Sequence, residues 1–127
     1  MKIFKYSLIT FLSIAIISNL VIINTVILQA LDQNHFRYSN QNASFTDVET
    51  FNFKDPYISN TPIDRFIAET NPAVENKTIY RLYRINPLCF WRWSYYLFTS
   101  RDFSYKTWSE IEQKRVPYDP NNMWQKF

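Results

Sequence analysis

The residues best suited to chemistry crowd into one short run, Leu88-Cys89-Phe90-Trp91-Arg92-Trp93-Ser94-Tyr95-Tyr96-Leu97-Phe98, with Arg84 and Arg101 at its flanks. Indole and phenol rings offer a flat apolar body with one polar edge. A guanidinium set among them can stack on a ring while it bonds a carboxylate or a phosphate. Such a set binds rather than cleaves. Two environments suit it. In one it is the core helix of the chain's own domain, with Leu88, Trp91 and Tyr95 on one face, Cys89, Trp93 and Tyr96 on another, and Arg92 reaching a carboxylate. In the other it lies at a membrane interface, where Trp and Tyr favour the headgroup zone and Arg meets lipid phosphate. A small domain cannot bury all of these rings, so the surplus points to cover by lipid or by another subunit. Arg81, Arg84, Trp91, Arg92, Trp93, Tyr95, Tyr96 and Arg101 are the candidate interaction residues.

Catalytic designs are thinly represented. Gly is absent from the 127 residues, which removes phosphate loops, dinucleotide fingerprints and nucleophile elbows, all of which need its backbone freedom. One His and one Cys leave few metal or nucleophile arrangements. His35 sits in a polar stretch and is expected to be solvated. Asp102, Glu110 and Tyr105 could be drawn together as an acid/base set, but their plainer reading is caps and partners for Arg101 and Lys106. No catalytic residue, cofactor or metal is expected. Rings interleaved with arginines can also stack nucleic acid bases. The net charge of +3 falls to +1 once Lys2 and Lys5 are set aside, however, and an external location argues further against that partner. Asn42-Ala43-Ser44 and Asn76-Lys77-Thr78 satisfy the glycosylation pattern, which matters only in a cell that glycosylates.

The element that must hold this segment in place is the opening of the chain. From Tyr6 to Leu31 no residue is charged, and apolar side chains run around every helix face. A hydrocarbon core needs roughly 20 helical residues, so residues 1–31 are expected to form one transmembrane signal-anchor helix. Its polar interruptions include Asn19 and Asn24, a pair that could bond a neighbour but is expected to be no more than isolated polar residues tolerated within one helix. Lys2 and Lys5 predict a cytoplasmic amino terminus and an extracytoplasmic tail. The competing reading is a signal peptide cut after Ala30, which would release a secreted or periplasmic module binding sugar or lipid. Against it, the apolar run exceeds the usual core of about 7 to 15 residues, and Leu28 stands where a small residue is wanted.

Residues 32–60 are rich in Asn, Gln, Ser and Thr and read as an irregular polar tether that docks through Phe45, Phe51 and Phe53. Residues 61–127 read as a small helical domain carrying the aromatic and arginine segment at 86–101, with helices near 62–70, 73–85, 87–98 and 108–115. Three starts share one device, an Asx or Thr before Pro, at Thr61-Pro62, Asn71-Pro72 and Asn86-Pro87. A fourth, Thr107 with Glu110, has capping-box spacing. Helical spacing puts Lys77, Arg81 and Arg84 on one basic face, and a strand through Ile79 to Leu82 fits less well because alternation mixes arginines with aliphatics. Cys89, alone, cannot form an internal disulfide; it is either an intermolecular thiol or, as its neighbours Leu88, Phe90 and Trp91 favour, a buried small hydrophobe. The predicted fold class is mainly α, one N-terminal transmembrane helix followed by a small tail of short helices on an irregular tether. The predicted role is that of a single-pass, non-catalytic accessory or interaction subunit. Its expected partners are the lipid bilayer and another membrane protein or complex.

Overall fold

The computed structural model describes residues 1–52 and 60–127. The apolar opening is broken in two. Helix α1 (Lys2–Ser18) and helix α2 (Val21–Leu31) meet at 86°, and among the described residues no single helix is long and apolar enough to cross a membrane. This corrects the expected uninterrupted span. The break falls at Asn19 and Leu20, where Leu20 turns extended with ψ 133°. Asn24 stabilises it by donating from Nδ2 to the Ser18 carbonyl at 2.9 Å, which satisfies an acceptor that the end of α1 would leave open.

The mainly helical expectation is corrected as well, because a four-stranded mixed sheet lies at the centre. Strands β1 (Arg37–Asn40), β2 (Thr46–Val48), β3 (Ile79–Arg81) and β4 (Ser104–Tyr105) are ordered β2-β1-β3-β4. β1 is antiparallel to both neighbours, pairing Tyr38 with Asp47 on one side and with Arg81 on the other, while β3 runs parallel to β4. Two of these strands lie within the predicted tether, whose Phe36, Tyr38, Phe45 and Phe51 are all core residues. Phe53 lies outside the described residues. The β1–β2 turn is made without glycine: Ala43 adopts φ 54°, and Asn40 Oδ1 accepts the Phe45 amide at 3.1 Å. Phe51 also holds a positive φ, of 47°, a left-handed conformation that costs a residue with a Cβ about 1–2 kcal/mol.

The helix expected at 73–85 is absent. A 3-10 turn at Val74–Asn76 leads into β3, so Ile79 and Arg81 belong to a strand. β1 offers β3 a full row of partners, an advantage no local helical pattern matches. Helix α3 (Thr61–Thr70) is present and puts Ile63 and Phe66 into the core. Asn71 does not start a helix; it ends α3 at φ 42°, the left-handed position that Asn tolerates better than most residues. Asn86 likewise makes a local turn, its Oδ1 accepting the Leu88 amide at 3.1 Å. The aromatic run folds as a 3-10 turn, Phe90–Arg92, followed by helix α4 (Trp93–Phe98). Helix α5 (Trp108–Glu112) begins with the capping box formed by Thr107 and Glu110.

Candidate interaction site

The aromatic and arginine segment meets the bend between α1 and α2. Asn19 Nδ2 donates to the Phe90 carbonyl at 2.7 Å, and its Oδ1 accepts the Ser94 amide at 2.7 Å. Asn24 Nδ2 donates to the Trp91 carbonyl at 2.5 Å, and its Oδ1 accepts from the Ser94 hydroxyl at 3.3 Å. The two asparagines thus act on backbone groups of the 90–94 segment. A helix start has amides without internal partners and the preceding turn has free carbonyls, and each carboxamide supplies both a donor and an acceptor. Phe11 of α1 packs edge-to-face on Phe90 at 5.5 Å between ring centres.

One step further along, Asp32 collects three donors. Trp91 Nε1 donates to Oδ2 at 3.0 Å, Arg92 Nε donates to the same oxygen at 3.0 Å, and Arg92 Nη2 donates to Oδ1. Asp32 is 3 % exposed and ends α2, where the helix dipole disfavours a carboxylate. The two-pronged guanidinium contact supplies the compensating charge. Arg92 also stacks over Phe36, 5.5 Å from the ring centre. Burial works against its charge, but hydrogen bonds to Asp32 and Tyr96 and the charge of Asp32 outweigh burial and hold its pKa above the ordinary value. These contacts are the ones that the first of the two environments would give Arg92, a guanidinium over a ring and bonded to a carboxylate. The carboxylate comes from 60 residues earlier in the chain.

His35 closes the cluster. Arg92 Nη1 lies 3.1 Å from His35 Nε2, and since a guanidinium only donates, that nitrogen must accept and the imidazole is neutral. Partial burial, then the Arg92 charge, lower its pKa, with Asp32 acting in the opposite sense. Because this is the chain's sole histidine, its ring-proton resonance titrates alone. The midpoint is expected below the ordinary 6.5 and should rise in Arg92→Met. A folded pKa below the unfolded one means the folded state resists protonation, so this contribution to stability is intact above pH 6.5 and is lost as the pH falls through that window. An unshifted midpoint in the variant would show that the cation is not what the imidazole senses.

Behind this cluster runs a buried line of hydroxyls. Tyr95 donates to Glu49 Oε2 at 3.0 Å; Tyr38 lies 2.6 Å from Tyr95 and 2.7 Å from Tyr83; Tyr83 lies 2.7 Å from Ser100. Each hydroxyl has one proton. Once Tyr95 commits its proton to Glu49, the others must point the same way, from Ser100 through Tyr83 and Tyr38 toward the carboxylate. Burial raises the pKa of Tyr38, Tyr83 and Tyr95, so these phenols stay protonated and the line keeps its direction. It ties β1, α4 and the loops around β3 into one unit.

The candidate residues therefore divide. Arg92, Trp91, Tyr95 and Tyr96 face inward. Arg81 in β3 bonds the Phe103 and Tyr83 carbonyls at 3.0 and 2.6 Å. Arg84 and Arg101 are exposed, the former donating to the Tyr105 hydroxyl at 3.3 Å and lying 5.7 Å from the centre of that ring. Trp93 is partly exposed and donates to the Pro87 carbonyl at 2.8 Å. Cys89 is half-buried. Sequence reasoning missed Asn19, Asn24 and Asp32 as partners of the segment, although the two asparagines were conspicuous within an apolar run. Away from this site, a groove of about 560 Å³ beside β2 is lined by Phe45, Asp47, Arg65, Trp124 and Lys126, among others. Burial raises the pKa of Asp47 there, with the Val48 amide and Lys126 opposing. Among the described residues, no group of His, Cys, Asp and Glu could hold a metal ion. No protein-family model matches the chain, nor does any curated protein or solved structure.

Proposed function

We propose that the chain is a membrane-resident, non-catalytic accessory or interaction subunit, held in the bilayer by the bent pair α1–α2 and presenting its folded body at the interface. The observation that carries this reading is the solvent exposure of α1. Of its 17 residues only Ala15 and Ser18 are buried, while Ile3, Phe4, Leu8, Ile9, Phe11, Leu12, Ile14, Ile16 and Ile17 all stand exposed. On α2, Asn24, Thr25 and Leu28 face the body, and Val21, Ile22, Ile23 and Val26 face outward. A continuous apolar surface of this kind is unfavourable in water, whereas acyl chains solvate it on all sides. Lys2 and Lys5 have flexible stems that let their charges reach headgroup level.

Retention of the opening segment is supported by what it touches. A cut after Ala30 would take away Leu28, fully buried in the core, together with the asparagines that bond Phe90, Trp91 and Ser94. Fractionation of cells expressing the full chain tests the reading. The intact protein is expected to stay in the membrane pellet through alkaline carbonate and to be released by detergent. Intact protein in the supernatant would overturn the membrane reading, and a shortened product starting near Leu31 would favour the secreted ligand-binding module instead.

A further inference from the structure

We propose that the exposed apolar patch formed by Ile85, Leu88, Trp93, Leu97 and Phe98 is a second membrane contact, seated at headgroup level, and that Arg84 and Arg101 beside it bind the phosphates of anionic phospholipids. The proposal rests on the membrane reading above. Leu88 is 86 % exposed, Phe98 70 % and Leu97 57 %, values that no internal role explains. Trp93 and Leu97 are one turn apart on α4, and the indole hydrogen bond to the Pro87 carbonyl holds Trp93 against the loop that carries Ile85 and Leu88. Phe98 follows directly, with Arg101 just beyond it.

Three observations choose lipid as the occupant. Phe90, within the same segment, packs on Phe11 near the middle of α1, so an acyl phase that covers α1 as far as Phe11 comes up to the turn that leads directly into α4 and its exposed Trp93 and Leu97. The rim is cationic: Arg84 reaches a tyrosine, through its hydroxyl and ring, and not a carboxylate, and Arg101 lies 3.9 Å from Asp102 with both side chains mostly in solvent, a contact of little worth. The composition is also that of an interfacial belt, a Trp with large aliphatic and aromatic neighbours backed by arginine. Each basic residue near an anionic surface strengthens binding about fivefold.

Quenching of tryptophan fluorescence by brominated acyl chains tests the proposal on the full-length protein reconstituted in vesicles. Brominated lipid is expected to quench the wild type; Trp93→Phe should lose a clear share of that quenching, the remainder coming from Trp91 packed on Phe90, while Trp124→Phe keeps it. At equal mole fraction, brominated phosphatidylglycerol in phosphatidylcholine vesicles should quench more than brominated phosphatidylcholine in phosphatidylglycerol vesicles. That preference should fall toward unity in Arg84→Ser/Arg101→Ser. Trp93 and both arginines are exposed, so circular dichroism is expected to show these variants folded. Protein that floats with vesicles while Trp93 escapes the bromines overturns this proposal and leaves membrane residence standing; if acrylamide in the water also fails to reach Trp93, a second copy or another protein covers the patch. Protein that does not float with vesicles removes both readings.

Discussion

Arg92→Ala should lower the unfolding free energy by about 3–5 kcal/mol, because it leaves the Asp32 carboxylate buried without its cation. Asp32 is 3 % exposed and Arg92 closes over it with two nitrogens, so water cannot take over the role of the guanidinium. Asp32→Ala should cost a similar amount for the mirror reason and should also free the Trp91 indole, whose emission then shifts to the red. The pair is not expected to be worth that much in itself. Taking both charges out of water offsets most of their attraction, and an apolar pair of similar volume is often as stable. The double variant Asp32→Leu/Arg92→Met should therefore recover most of the loss, which a double-mutant cycle followed by denaturant titration in micelles measures as a large coupling. Simple addition of the two single losses would mean that the carboxylate finds other partners and that the ion pair does not organise the junction between α2 and the aromatic segment.

This junction also shows what a single sequence can reveal. Features set by neighbours within one turn were legible: the Thr107 and Glu110 capping box joins residues three apart, and the start of α3 follows from Thr61 followed by Pro62. The arginine's need for a carboxylate could be read from residue type alone, since a guanidinium packed among rings must be neutralised. Which carboxylate could not be read, because Asp32 is 60 residues away and any acid would have served the argument. The strands were hidden for a related reason. β1 reads Arg37-Tyr38-Ser39-Asn40, with no alternation of apolar and polar residues, and its stability comes from partners in β2 and β3 rather than from its own composition. Asn19 and Asn24 were visible as polar breaks in an apolar run. Their effect, an 86° turn and not a tolerated interruption, depends on carbonyls about seventy residues away, at Phe90 and Trp91. Hydropathy reports the solvent a segment prefers and carries no information about where its helix bends.

Phe36→Ala tests the other half of the body and is expected to cost about 3–5 kcal/mol. The ring is fully buried and sits 4.7 Å from Tyr83 and 4.4 Å from Tyr95, with Phe51 edge-on at 5.5 Å. It therefore walls the hydroxyl line on one side and receives the Arg92 guanidinium on another. Truncation opens a void that these neighbours cannot close freely. Tyr83 and Tyr95 are each tied through Tyr38 to a chain whose proton direction is set by Glu49, and tilting either ring inward would stretch a buried hydrogen bond. The loss should accordingly fall in the upper part of the usual range for Phe to Ala. Phe36→Leu, which keeps most of the volume, should cost less than half as much. Near-ultraviolet circular dichroism provides the second readout: if the tyrosines are locked as described, their signal should persist in Phe36→Leu and weaken in Phe36→Ala. A small loss with an unchanged tyrosine signal in Phe36→Ala would mean that the core collapses around the gap, and that the hydroxyl line is looser than its short distances imply.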